Sequence, residues 1–439
     1  MKRMLTILLA VSMIALVAMP AFAEVQNIKV NGGVKITGIT REGFINRGPA
    51  GSTTGYPEAD SRDWYNTVTT LGVAADLTDN VSATMVLGNE RDWGLATATT
   101  TTTGDATAVT VFSSYITMEE MLYSALTVKA GRMPLAIADK LIVGDGTGNI
   151  NSLNSGNLSA QTEFDAIVGI LDYDPLTVIL GTVKVSDEAQ SASDDVDLYL
   201  VDGIYKFEDD MNTVLDAYFG TAHYSSPGAA TLTGPGANST RTADVNVLAA
   251  VLTMEPAERV TAKFGIGYQF GDYQKTATAS RGLDAMALDL GVNYAIDNEY
   301  APVVGLKYVY RSGDDQATGA NADYTGWLGL YEQQINGAIF DPNTNISAFA
   351  LTATAVPADR LTIGLEYWMF TLDESLKTAT TQCSTSDEAG SEIDLTASYA
   401  YTEDVKIGLG LGWFFPGDYY KSGFDETAMQ ALVQVAVKF

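Results

Sequence analysis

The 439-residue chain has one cysteine and one histidine. That excludes an internal disulfide, a thiolate zinc cluster and a haem attached through a cysteine pair. Basic residues are scarce as well: 25 Lys and Arg stand against 54 Asp and Glu, a formal charge of -29. A chain of that sign repels phosphate backbones, so no nucleic-acid partner is expected. Beyond the amino-terminal segment no stretch reaches the roughly 18 unbroken apolar residues of a membrane helix. Charged residues make up only 18% of the chain, against about 25% in soluble domains. The composition therefore fits neither an ordinary cytosolic protein nor a helical membrane protein. The lone His223 has no Gly-x-Ser-x-Gly elsewhere to serve, so neither an enzyme nor a cofactor is expected.

What is present begins with an export signal. Lys2 and Arg3 precede an apolar run from Met4 to Ala18, and Ala21-Phe22-Ala23 supplies a small-residue cleavage site. Residues 1–23 read as a signal peptide and 24–439 as a single domain with no composition break.

From Gln26 onward, segments of about ten to fourteen residues alternate apolar with small or polar side chains, the period of a strand between two environments. Between Arg259 and Phe270, Val260, Ala262, Phe264, Ile266, Tyr268 and Phe270 share one face, and Thr261, Lys263, Gly265, Gly267 and Gln269 share the other. Gly408, Gly410 and Gly412 likewise lie on one strand face, which argues against a phosphate-binding loop. The pattern predicts about 18 strands, with 16 the alternative count. Tight turns such as Thr78-Asp79-Asn80, Glu208-Asp209-Asp210 and Thr402-Glu403-Asp404 alternate with longer loops, among them 135–162, 224–240 and 313–345.

Short and long connections in alternation predict an all-β fold, an antiparallel transmembrane β-barrel with short periplasmic turns and long extracellular loops. Closure is required because an open sheet edge in lipid leaves backbone donors and acceptors unpaired. Tyr294, Tyr308, Tyr310, Tyr367, Tyr399 and Trp413 suit interfacial girdles. The expected partners are membrane lipid and lipopolysaccharide outside, and small hydrophilic solutes or ions inside.

Barrels of about 16 to 18 strands enclose an aqueous channel. Strand parity assigns Lys29, Lys35, Lys129, Lys184, Lys263, Lys307 and Lys406 to the pore lining, together with Asp165, Asp216, Asp244, Asp289, Glu366 and Asp394. Charges on that face are solvated in a wet lumen and costly in lipid. The acidic balance predicts a pore that favours cations. The other readings left open are a structural or adhesive surface barrel, and a sheath around a separate electron-carrying partner. Asp314, Asp315 and Asp323, or the Asp145 segment, are candidates for calcium, although no segment has the full spacing of a calcium loop.

Ala431, Val433, Val435, Val437 and Phe439 alternate with Leu432, Gln434, Ala436 and Lys438. This resembles the carboxy-terminal signal by which bacterial outer-membrane barrels engage their assembly machinery, and it implies an outer-membrane location. Leu-Thr-Val-Lys-Ala-Gly-Arg-Met-Pro-Leu from residue 126, followed by Asp-Lys-Leu-Ile-Val-Gly to residue 144, resembles a strand-and-loop pattern of 18-stranded alginate-export-like and related substrate-specific porins. Arg132 and Lys140 are the matching basic positions, and parity turns Arg132 outward. In general porins the third external loop narrows the pore. That resemblance makes residues 134–162, with Asp139, Lys140, Asp145 and Asn149, the candidate constriction, the alternative being a surface loop. Monomer and homotrimer both remain open.

Overall fold

The computed structural model describes residues 27–43, 61–93, 108–137, 141, 143, 163–186, 195–225, 242–275, 280–315, 322–329 and 336–439. The signal segment 1–23 and the candidate constriction residues Asp139, Lys140, Asp145 and Asn149 lie outside them. Eighteen strands follow one another: β1 (Asn27–Glu42), β2 (Ser61–Thr78), β3 (Val81–Asp92), β4 (Thr110–Met118), β5 (Leu126–Met133), β6 (Phe164–Tyr173), β7 (Leu176–Ser186), β8 (Val196–Lys206), β9 (Val214–Tyr224), β10 (Thr242–Ala257), β11 (Val260–Lys275), β12 (Ser280–Ala295), β13 (Val303–Arg311), β14 (Ile346–Ala358), β15 (Leu361–Thr371), β16 (Glu388–Ala400), β17 (Val405–Pro416) and β18 (Ala428–Lys438).

Each strand pairs antiparallel with its sequence neighbours, and β1 pairs with both β2 and β18. The sheet therefore closes into the predicted 18-stranded barrel, and every strand has a partner on each side. At the seam, Gly32 and Phe439 exchange both backbone hydrogen bonds, at 2.8 and 3.0 Å. A Cβ at Gly32 would stand 2.7 Å from the Phe439 ring, so glycine is what lets that ring lie against β1.

The outward face is apolar. Leu180, Val201, Phe219, Leu248, Phe264, Leu306, Leu365, Leu409 and Val433 are all exposed on it. Tyr173, Tyr205, Tyr294 and Tyr399 face outward near the short turns, and Tyr65, Tyr199, Tyr268 and Tyr367 do so toward the long loops. Greasy residues between two aromatic girdles match the hydrocarbon layer and its two interfaces.

The interior is packed, and it departs from the sequence expectation in one region. Along β6 to β10 the inward face is itself apolar: Ala166, Val168, Val183, Leu198, Leu200, Ala222, Val245, Val247 and Val251 are buried. They receive Leu135, Ile137, Leu141 and Val143 from the connection after β5, where Ile137 and Val143 form a short antiparallel bridge. Asp165, Lys184 and Asp244, expected in the pore lining, consequently face outward. The rule that apolar side chains point to lipid fails here because a loop inside the barrel is equally dry.

Candidate functional site: the barrel lumen

Lys35, Lys129, Lys263, Lys307, Lys406, Asp216, Asp289, Glu366 and Asp394 all occupy inward-facing positions. Several are already paired. The Lys307 ammonium lies 3.2 Å from Glu366, and the fully buried Arg311 grips both Asp289 oxygens at 2.6 and 3.3 Å. Lys35 shares a register row with Glu90 across Val68. Lys263 and Lys307 flank Gly291 in another row. Sequence reasoning missed Arg41, Arg62, Arg311, Asp202 and Glu392, all of which also project inward. Parity alone would have found Arg41, Arg62, Arg311 and Glu392, because each shares a face with a residue that was chosen or with its strand's glycines, whereas Asp202 shares its face with the apolar Leu198 and Leu200.

The most consequential omission is the connection between β13 and β14. Its residues 322–329 pack on β11 and β12. Tyr324, Trp327 and Leu328 are buried there, with the Trp327 ring 2.8 Å from where a Gly267 Cβ would stand. The Gln269 side chain donates to the Leu328 carbonyl at 2.8 Å and accepts its N–H at 2.9 Å. Gly271, at φ +127°, precedes a register shift in β11, and the buried Tyr273 ring beyond it stacks on Tyr324 at 4.1 Å. Residues 336–345 anchor far along the wall. There Glu392 accepts the N–H groups of Ile339 and Phe340 at 2.7 and 2.9 Å, and Asp394 accepts that of Ala338 at 3.3 Å. Phe340 packs among Phe370 and Phe414. The two described parts of the connection are tied to opposite sides of β13–β15, and both lie against inward-facing residues of the wall.

The calcium candidates do not converge. The Arg281 guanidinium sits 3.7 Å from Asp314, and an Asp323 oxygen is taken by the Gly282 N–H. Groups of three or more His, Cys, Asp or Glu able to hold a metal are absent among the described residues. His223 meets Asp244 at 2.5 Å on the outward face, away from the lumen.

A closed barrel, apolar outside and charged inside, defines a transmembrane β-barrel of the bacterial outer membrane. A family model described as alginate export matches residues 63–434, and the chain belongs to that family. No curated protein matches its sequence. Among solved structures it is similar to Pseudomonas aeruginosa OccK11 (OpdR), with 9% identity over 94% of this chain and 96% of that one, TM-score 0.59. It is also similar to OccK1 (OpdK) from the same organism, with 14% identity over 94% and 99%, TM-score 0.58. A structure of OpdK with vanillate gives 13% identity over 94% and 100%, TM-score 0.59. At these identities the likeness is one of fold.

Proposed function

We propose that the barrel is a passive diffusion channel for small hydrophilic solutes and ions, with a preference for cations. The carrying observation is the short-turn rim. Every short turn holds at least one carboxylate: Asp79, Glu119, Asp174, Glu208, Glu258, Asp297, Asp359 and Glu403 represent the eight of them, and Arg259 and Arg360 are the basic residues within those turns. A ring of fixed negative charge at a pore mouth raises the local cation concentration. The family's name and the vanillate of OpdK both point to anions. The partnering of Lys307 by Glu366 and of Arg311 by Asp289 leaves less free positive charge on this wall for an anion to use.

In the same reading the chain is exported by residues 1–23, delivered through Val435, Val437 and Phe439 to the barrel-assembly machinery, and has no catalytic role. Planar-bilayer recording in a salt gradient tests the proposal. Steady conductance with a cation-signed reversal potential is expected. An anion-signed potential would remove the preference, and a silent barrel would return the protein to the structural or sheath readings.

A further inference from the structure

One outward register row differs from everything below it on the barrel exterior. Arg132 on β5 pairs across to Asp165 on β6, then Lys184 on β7, Asp197 on β8, His223 on β9 and Asp244 on β10. Six neighbouring strands thus place an ionisable side chain at one level. The row directly toward the membrane centre carries Ala130, Ile167, Thr182, Tyr199, Thr221 and Asn246, none of them ionisable, and the next carries the exposed Leu180, Val201, Phe219 and Leu248. The charges therefore crown the apolar wall on its long-loop side, immediately above an aromatic girdle, where lipid headgroups begin.

The side chains are accessible. Arg132 and Lys184 are each 40% exposed, and Asp165 is 62% exposed. They are held in place by light internal pairing: Arg132 to Asp165 at 3.3 Å and Lys184 to Asp195 and Asp197 at 3.0 and 3.1 Å. Exposed pairs of this kind are weak, so a dianionic phosphate competes readily for the cations. The aspartates released by that exchange offer hard oxygen ligands to a divalent cation.

We propose that this row is a binding face for the phosphorylated glycolipid of the outer leaflet, with Arg132 and Lys184 taking phosphate oxygens and the intervening aspartates bridging to further phosphates through divalent cations. The sign alternation suits a surface of phosphates and bound cations, which alternates in the same way. The proposal deepens the outer-membrane channel reading and rests on the membrane location, not on conduction.

The test uses the full barrel purified in detergent, titrated with deep-rough lipopolysaccharide in the presence of magnesium and read by native mass spectrometry. Wild type should retain the lipid, release it on chelation, and bind the dephosphorylated form at least about tenfold more weakly. Arg132→Gln with Lys184→Gln should weaken retention by about tenfold, while heat-modifiable migration shows the barrel folded and bilayer conductance stays at the wild-type level. Each single variant, Arg132→Gln or Lys184→Gln, gives an intermediate loss if the paired variant fails to fold. Equal retention by wild type and variants, or indifference to dephosphorylation, overturns the proposal. Loss of a self-associated species on the same substitutions also overturns it, because the face would then belong to a second copy of the chain. A barrel that binds the lipid but passes no current separates this proposal from the channel reading.

Discussion

The side-chain amide of Gln269 pairs with the backbone of Leu328 as one more residue of a β-ladder would, giving a hydrogen bond at 2.8 Å and taking one at 2.9 Å. This side chain adds to the backbone hydrogen bonds by which Tyr324 meets Gly282 and Asp284, and together they hold residues 322–329 against the wall. Replacing Gln269 by leucine leaves two buried backbone groups without partners, at about 1–3 kcal/mol each. Gln269→Leu is expected to raise single-channel conductance and its open-state noise without unfolding the barrel. Unchanged current with an unchanged melting curve would show that the connection does not narrow the path.

The other anchor behaves differently because one carboxyl group serves two backbone donors. Glu392 is fully buried and spends both oxygens on the N–H groups of Ile339 and Phe340. Glu392→Ala removes both acceptors and should cost at least about 2 kcal/mol. Combined with Gln269→Leu, it should widen the pore more than the sum of the single variants, since either anchor alone still restrains the segment. Permeability to uncharged polyethylene glycols of graded size reads this directly, and strict additivity would count against a shared strap.

Arg311 is wholly buried against Asp289 on the inner wall. Arg311→Ala strands a carboxylate in a dry place, and such losses run to about 3–5 kcal/mol. Removing both charges with Arg311→Met and Asp289→Asn should recover most of it. Thermal unfolding followed by circular dichroism distinguishes the two variants, and equal melting temperatures would mean that water reaches the pair.

Burial holds the Tyr324 phenol above its ordinary range, with Tyr273 and Asp314 acting in the same direction and Arg281 opposing. An acid raised in the folded state contributes stability that is complete below its unfolded value, about 10 for tyrosine. That contribution is lost as pH climbs from there toward the folded value. Conductance should therefore drift upward above about pH 10, and Tyr324→Phe should abolish the drift. A variant that drifts like wild type would place the titration elsewhere.

Strand number, closure and exterior were legible in the sequence because lipid imposes one rule on every outward residue. In β11 the alternation of Phe264, Ile266 and Tyr268 with Gly265, Gly267 and Gln269 could be read without ambiguity, since one face meets lipid and the other is polar or small. In β10 the rule inverted. Val245, Val247 and Val251 look inward to meet Leu135 and Ile137, while Asp244 looks out. Period-two patterning reports that two faces differ, not which of them is the membrane. The β13–β14 connection was missed for a related reason. Its Tyr324, Trp327, Leu328, Ile339 and Phe340 are too apolar for an external loop, and that excess was the available signal.

The exchange between Gly32 and Phe439 joins the two extremes of the described chain. Until β18 arrives, β1 has β2 along one edge and no partner for Gly32 to Glu42 along the other, so no partial barrel is fit for hydrocarbon. Sealing is an all-at-once event that waits on β18, the last of the described strands, to meet the first.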